Sequence, residues 1–131
     1  MRREQRQYEN GDWGVACVAM ITGKSYEEVE SAFHENGLVI DDGQYFTLHK
    51  DLITILKSFA YEAVRRRFSS WDAVELPAIV KINVRSGNHW HWVVMAGARR
   101  VFDPKPGAPD LVFDYRGRKG EGQYLHVIGQ P

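Results

Sequence analysis

The stretch of residues 12–23, DWGVACVAMITG, limits what this chain can fold into more than any other part of it. Asp12 suits a helix N-cap and Gly23 a helix stop, so the spacing predicts a helix over residues 12–22. Val15, Ala16, Cys17, Val18, Ala19, Met20 and Ile21 follow one another without a polar break. Drawn as a helix, they present apolar side chains all round the axis, and such a helix must be buried on every side. The remainder of the chain therefore has to supply cover in more than one direction.

Two further helices are predicted. Ser25-Tyr26-Glu27-Glu28 reads as a capping box. It opens an amphipathic helix that runs to about Asn36 and closes at Gly37. Thr47 can cap a third, in which Leu48, Leu52, Ile53, Ile55, Leu56 and Phe59 fall on one stripe of 3.6-residue period. The pattern then changes. Residues 61–68, 76–84 (LPAIVKINV), 89–97 (HWHWVVMAG), 99–104 (RRVFDP), 110–115 (DLVFDY) and 123–129 (QYLHVIG) are short and rich in β-branched or aromatic residues. Each is bounded by turn formers. Helices first and strands after them argue for an α+β domain and against alternating α/β. The 131 residues suit one domain, 1–131, with N-terminal helices on an antiparallel sheet. PKPGAP (104–109) and RGRKGEG (116–122) read as exposed loops.

Charge and composition exclude several partners. Lys and Arg number 17, as do Asp and Glu. No net field draws the protein to nucleic acid or to an anionic membrane, and neither is expected as a partner. Arg65-Arg66-Arg67 is too short for a nucleic-acid site and reads as a solvated strand or turn. No apolar run approaches the ~20 residues of a membrane span, and the first residues lack the apolar stretch of a secretory signal. One cysteine cannot form an internal disulfide. A cytoplasmic protein is the simplest expectation, and oligomeric state is not legible.

The residues that can carry chemistry occur in a suggestive order. A cysteine hydrolase needs a thiolate, a base to generate it, a group that orients the base, and donors for the oxyanion. A helix N-terminus favours the thiolate. Here Gln7 lies six residues before Trp13, at the mouth of the buried helix. His91 opens His91-Trp92-Val93-Val94, and Asp103 closes Val101-Phe102-Asp103-Pro104. Two adjacent antiparallel strands turning near Gly97 would bring His91 and Asp103 together, with the loop length setting the register. A loop at Gly97-Ala98 places His91 opposite Pro104. A loop over residues 96–98 places it opposite Asp103.

This ordered set resembles the papain-like cysteine peptidases, and within them the bacteriocin-processing (double-glycine) branch. In that branch a Gln precedes an Asp-Cys-Gly stretch that opens an apolar helix. Later come a His followed by an aromatic and two β-branched residues, and then an Asp-Pro. The matching residues are Gln7, then Asp12-Trp13-Gly14-Val15-Ala16-Cys17, then His91-Trp92-Val93-Val94, then Asp103-Pro104, spanning about residues 5–107. The resemblance implies a papain-like fold, His91 as general base, Asp103 as its orienter, Gln7 as an oxyanion donor, and a peptide or protein ligand. The departure falls on the nucleophile, whose place is held by Trp13, and an indole is not a nucleophile. Cys17 follows one helical turn later, on the same face but ~6 Å deeper.

Two readings of Cys17 stay open at this level: a small core hydrophobe in a domain that binds without cleaving, or a relocated nucleophile. A third possibility, an interaction protein unrelated to peptidases, has no residue that selects it. His89, His91 and Asp103 form a conceivable ligand set. With no Cys pair and no paired helical histidines, neither metal nor other cofactor is expected. Trp13, Trp90 and Trp92 can wall a groove or fill a core. His34, His49 and His126 show no pattern and read as structural or exposed.

Overall fold

The computed structural model describes residues 13–41, 44–85, 89–97, 100–104 and 122–129, without the side chains at 41, 44, 83–85 and 89–91. The expected strand at 110–115 and the loops at 105–109 and 116–121 lie outside the described residues.

The apolar segment forms α1, Trp13–Thr22, and residues Gly14 to Met20 are all buried. Gly23 ends it with φ +71°, its N–H donating to the Ala19 carbonyl (3.0 Å). Helix α2, Tyr26–Glu35, opens with the expected capping box. The Ser25 hydroxyl accepts from the Glu28 N–H, and the Glu28 carboxylate accepts from the Ser25 N–H. It closes at Gly37 (φ +68°), where the Leu38 N–H reaches back to the Phe33 carbonyl at 2.9 Å. This is the six-to-one bond of a Schellman motif. A small hairpin that the sequence did not announce follows, β1 (Val39–Asp41) with β2 (Gln44–Tyr45). Tyr45 anchors it to α2 through an edge-to-face contact with Phe33 and a hydroxyl donated to the Glu30 carboxylate.

Helix α3 spans His49–Ser58, and its cap differs from the expected one. Leu48, not Thr47, occupies the N-cap, and the Asp51 carboxylate accepts the Leu48 N–H from within the first turn (3.0 Å). Thr47 is otherwise engaged: its carbonyl accepts the Trp92 indole N–H at 3.0 Å. Asp51 is buried by this role. Leu48 itself stays exposed, while Leu52, Ile55 and Leu56 carry the buried stripe.

Five strands complete the fold: β3 (Glu62–Arg67), β4 (Ala78–Arg85), β5 (His89–Gly97), β6 (Arg100–Phe102) and β7 (Gln123–Gly129). They form one antiparallel sheet in the order β3-β7-β4-β5-β6, so the last strand in the sequence inserts between β3 and β4. Its two faces are both covered. Ile79, Trp92, Val94, Leu125 and Val127 pack against the three helices in one cluster. Ala78, Val80, Ile82, Val93, Met95 and Tyr124 form a second cluster on the opposite face. The segment from Phe68 to Leu76, with a 3-10 turn at Trp71–Ala73, crosses that face and lays Phe68, Trp71, Val74 and Leu76 on it. The Tyr124 hydroxyl pins this crossing by accepting the Glu75 N–H at 3.0 Å. Burial on both faces explains the unbroken apolar runs at residues 78–80 of β4 and 92–96 of β5. Among the described residues no helix is long and apolar enough to cross a membrane.

Candidate functional site

The site is built where α1 begins. This helix packs against β5 on one side and against α2 and α3 on others. The helix bearing Trp13 and Cys17 and the strand bearing His91 therefore lie side by side. Gly14 makes the close approach to α3 possible. A Cβ added there would stand 2.7 Å from Leu52 Cδ2 and 2.9 Å from Thr47 Cγ2. Only a hydrogen side chain lets the first turn of α1 sit so near the start of α3.

Trp92 fixes the other side. It is fully buried, and its indole N–H reaches Thr47. Its ring meets His49 edge to face, centroids 5.1 Å apart at 88°. The His49 Nε2–H donates to the Gln123 carbonyl at 2.6 Å, and because a carbonyl only accepts, this contact sets the tautomer. Burial holds the His49 imidazole below its ordinary value of 6.5. The charges of Lys81 and Arg65 push the same way, while the Gln123 hydrogen bond opposes them. Thr47, His49 and Trp92 thus tie α3, β5 and β7 together beside the tip of α1. No local sequence signal could have linked His49 to Trp92. The contact spans the helical and strand halves of the chain and exists only after folding.

Trp13 is the first residue of α1, half-buried and packed against the helix-side core. Cys17, in the second turn, is 0% exposed and belongs to the helix-side core cluster. His91 pairs in register with Ile82 of β4; its side chain, and all of Gln7, lie outside the described residues. Asp103 is buried immediately after β6.

The register between β5 and β6 matches neither of the two expected loops. Val94 faces Phe102, Met95 faces Val101, and Gly97 faces Arg100, with a bulge between Met95 and Gly97. Carried past the strand end, this register sets Asp103 level with Val93, two positions along β5 from His91. The cause lies at Gly97. It is a paired residue, opposite Arg100, and the Arg100 side chain crosses it 3.3 Å from where a Cβ would be. Pro104, expected in an exposed loop, is buried. Among the described residues no group of three or more His, Cys, Asp or Glu could hold a metal ion.

No family model matches the sequence, and no curated protein matches it either. Solved structures do. A double-glycine-motif protease from an AMS/PCAT transporter, in complex with the leader peptide, shares 18% identity over 97% of this chain and 91% of that one, with a TM-score of 0.63. The peptidase domain of Streptococcus ComA, a bifunctional ABC transporter in a quorum-sensing pathway, shares 12% identity over 98% of each chain, with a TM-score of 0.68. The N-terminal peptidase C39-like domain of a toxin-secretion ATP-binding protein from Vibrio parahaemolyticus shares 20% identity over 94% and 99%, with a TM-score of 0.59. The chain thus has the α+β, papain-like fold of the double-glycine peptidase domains. At these identities the likeness establishes the fold, and what the site can do rests on the residues present.

Proposed function

We propose that this chain is a peptidase-like domain without its nucleophile, which binds a peptide or protein at the α1–β5 contact and does not cleave it. One observation carries the reading: an indole opens the helix where a thiol would be needed, while the chain's one cysteine is fully buried a turn further in. The helix-end field that would favour a thiolate fades within the first turn. An ionised sulfur at position 17 would lie among apolar side chains, where a charge is costly. Gln7, His91 and Asp103 are, in this reading, retained parts of an inherited site, and they contribute to holding the ligand. One of the structural neighbours was solved with a leader peptide, which supports a peptide as the ligand class.

The test uses a synthetic peptide carrying a double-glycine site. The wild-type protein binds it and leaves it intact, and a thiol reagent at neutral pH labels Cys17 only after denaturation. Trp13→Cys gains cleavage, which His91→Ala then abolishes. The reading fails if the wild type cleaves the peptide and loses that activity on Cys17→Ala. That result would establish Cys17 as the nucleophile, with His91 as base and Asp103 as orienter. Absence of peptide binding by a folded wild type would equally reject it.

A further inference from the structure

Strand β3 lies at one edge of the sheet, with β7 as its only neighbour among the described residues. The Phe68 N–H donates to the Gly122 carbonyl, in line with the β3–β7 register. Antiparallel pairs alternate between hydrogen-bonded and non-bonded, so Arg66 and Val64 point their N–H and C=O toward β7. Independently, the Val127 N–H donates away from β3, to the Pro77 carbonyl, and Val127 is the partner of Ala63. Both observations leave the N–H and C=O of Ala63, Arg65 and Arg67 directed outward, at the edge that has no neighbour among the described residues. Six residues of such an edge form a template for another strand.

Two features describe what suits it. Beside the first half of β3 runs an open groove of about 400 Å³, lined by Ile53, Lys57, Tyr61, Ala63 and Val64 among others. It can take an apolar side chain from an added strand. Along the second half, Arg65, Arg66 and Arg67 are all exposed. Arg66 is paired with Glu75 (3.8 Å) on the far face of the sheet. Arg65 and Arg67 share the helix-side face with Ala63, and Lys57 adds a further positive charge at the groove. Glu62, at the start of β3, is the acid nearest to them on this strand. A second copy of the chain pairing in the register centred on Arg65 would set arginine against arginine, and like charges directly opposite are destabilising. The strand that suits this edge carries carboxylates.

We infer that β3 is a docking edge for an extended acidic peptide segment. The segment would add as a sixth strand through the outward groups of Ala63, Arg65 and Arg67. Its carboxylates would face Arg65 and Arg67, and one apolar side chain would enter the α3–β3 groove. This is strand addition, in which main-chain bonds give affinity and alternate side chains give specificity. The surface is separate from the α1–β5 contact, since β7 and β4 stand between β3 and β5.

The probe is a capped synthetic peptide of ~8 residues, long enough to cover the strand, with alternating aspartates and a leucine at one end. A control replaces aspartate with lysine. Binding of the acidic peptide to the whole chain is expected to slow hydrogen exchange at the amides of Ala63, Arg65 and Arg67. Those of Val64 and Arg66, already paired with β7, change little. The double variant Arg65→Glu, Arg67→Glu should weaken the acidic peptide at least about tenfold and invert the preference toward the lysine peptide. Arg65→Pro removes an outward donor, a change that edge strands tolerate, together with the Arg65 charge; compared with Arg65→Ala, which removes the charge alone, it should weaken both peptides further while β7 stays paired. Equal binding of both peptides to the wild type would overturn the inference, as would binding that leaves those three amides unprotected. So would amides that are already slow without peptide, or that slow with protein concentration as a self-pairing edge would.

Discussion

Gly14→Ala offers a test in which two effects oppose each other in sign. By helix propensity alone the change should help, by ~0.5–1 kcal/mol in a helix interior and less in the first turn. The structure argues the reverse. The new methyl would stand 2.7 Å from Leu52 Cδ2 and 2.9 Å from Thr47 Cγ2, with Thr47 Cβ at 3.1 Å. Leu52 is fully buried, so its end cannot rotate into solvent. Thr47 is held by the Trp92 hydrogen bond at its carbonyl. Forcing an extra methyl into a close-packed site costs about 1–3 kcal/mol. The net expectation is a loss of about 0.5–2.5 kcal/mol, which for a chain of this size lowers Tm by about 2–9 °C. Thermal unfolding followed by circular dichroism reads it directly. A double-mutant cycle with Leu52→Ala isolates the cause. Leu52→Ala costs ~2–5 kcal/mol by itself, yet it should remove most of the added penalty of Gly14→Ala. An unchanged or raised Tm for Gly14→Ala, or strict additivity with Leu52→Ala, would refute the claim that the tip of α1 is seated by contact with α3.

Two further outcomes follow from the residues around that tip. His49 has its folded-state pKa below the ordinary 6.5, so its neutral form favours the fold. That contribution is complete above the unfolded value and is lost as pH falls through it toward the folded one. The urea midpoint of the wild type should therefore drop between about pH 7.5 and 5.5, and His49→Gln should show a smaller drop. Trp92→Phe deletes the donor to Thr47 and leaves a part-buried carbonyl short of a partner. It should cost about 1–3 kcal/mol in denaturant unfolding, and a change near zero would mean that water or another group replaces the indole.

The sequence by itself determined the elements whose causes are local. Seven successive apolar residues required α1 to be buried all round, and all of them but Ile21, which is partly buried, are fully enclosed. The Ser25-to-Glu28 spacing predicted the capping box, and Gly23 and Gly37 both end their helices in the left-handed conformation that glycine adopts freely. The span of β5 was legible to the residue, because a turn former closes it at Gly97. The family likeness, too, was legible in the order of a few side chains, and the fold bears it out.

What only the tertiary structure decided is everything that depends on groups far apart in the chain. The insertion of β7 between β3 and β4, the covering of the second sheet face by residues 68–76, and the meeting of His49 with Trp92 have no local signature. The cap of α3 moved from Thr47 to Leu48 because Asp51 already satisfied the helix start, leaving Thr47 to accept a distant indole. The β5–β6 register turned on a bulge and on an arginine crossing Gly97. Sequence period could not settle it, because both faces of β5 are apolar and a slip by one residue would leave the pattern looking the same. Local propensity acts within a turn or two of the chain, whereas register, sheet order and burial are settled by packing among all the elements at once.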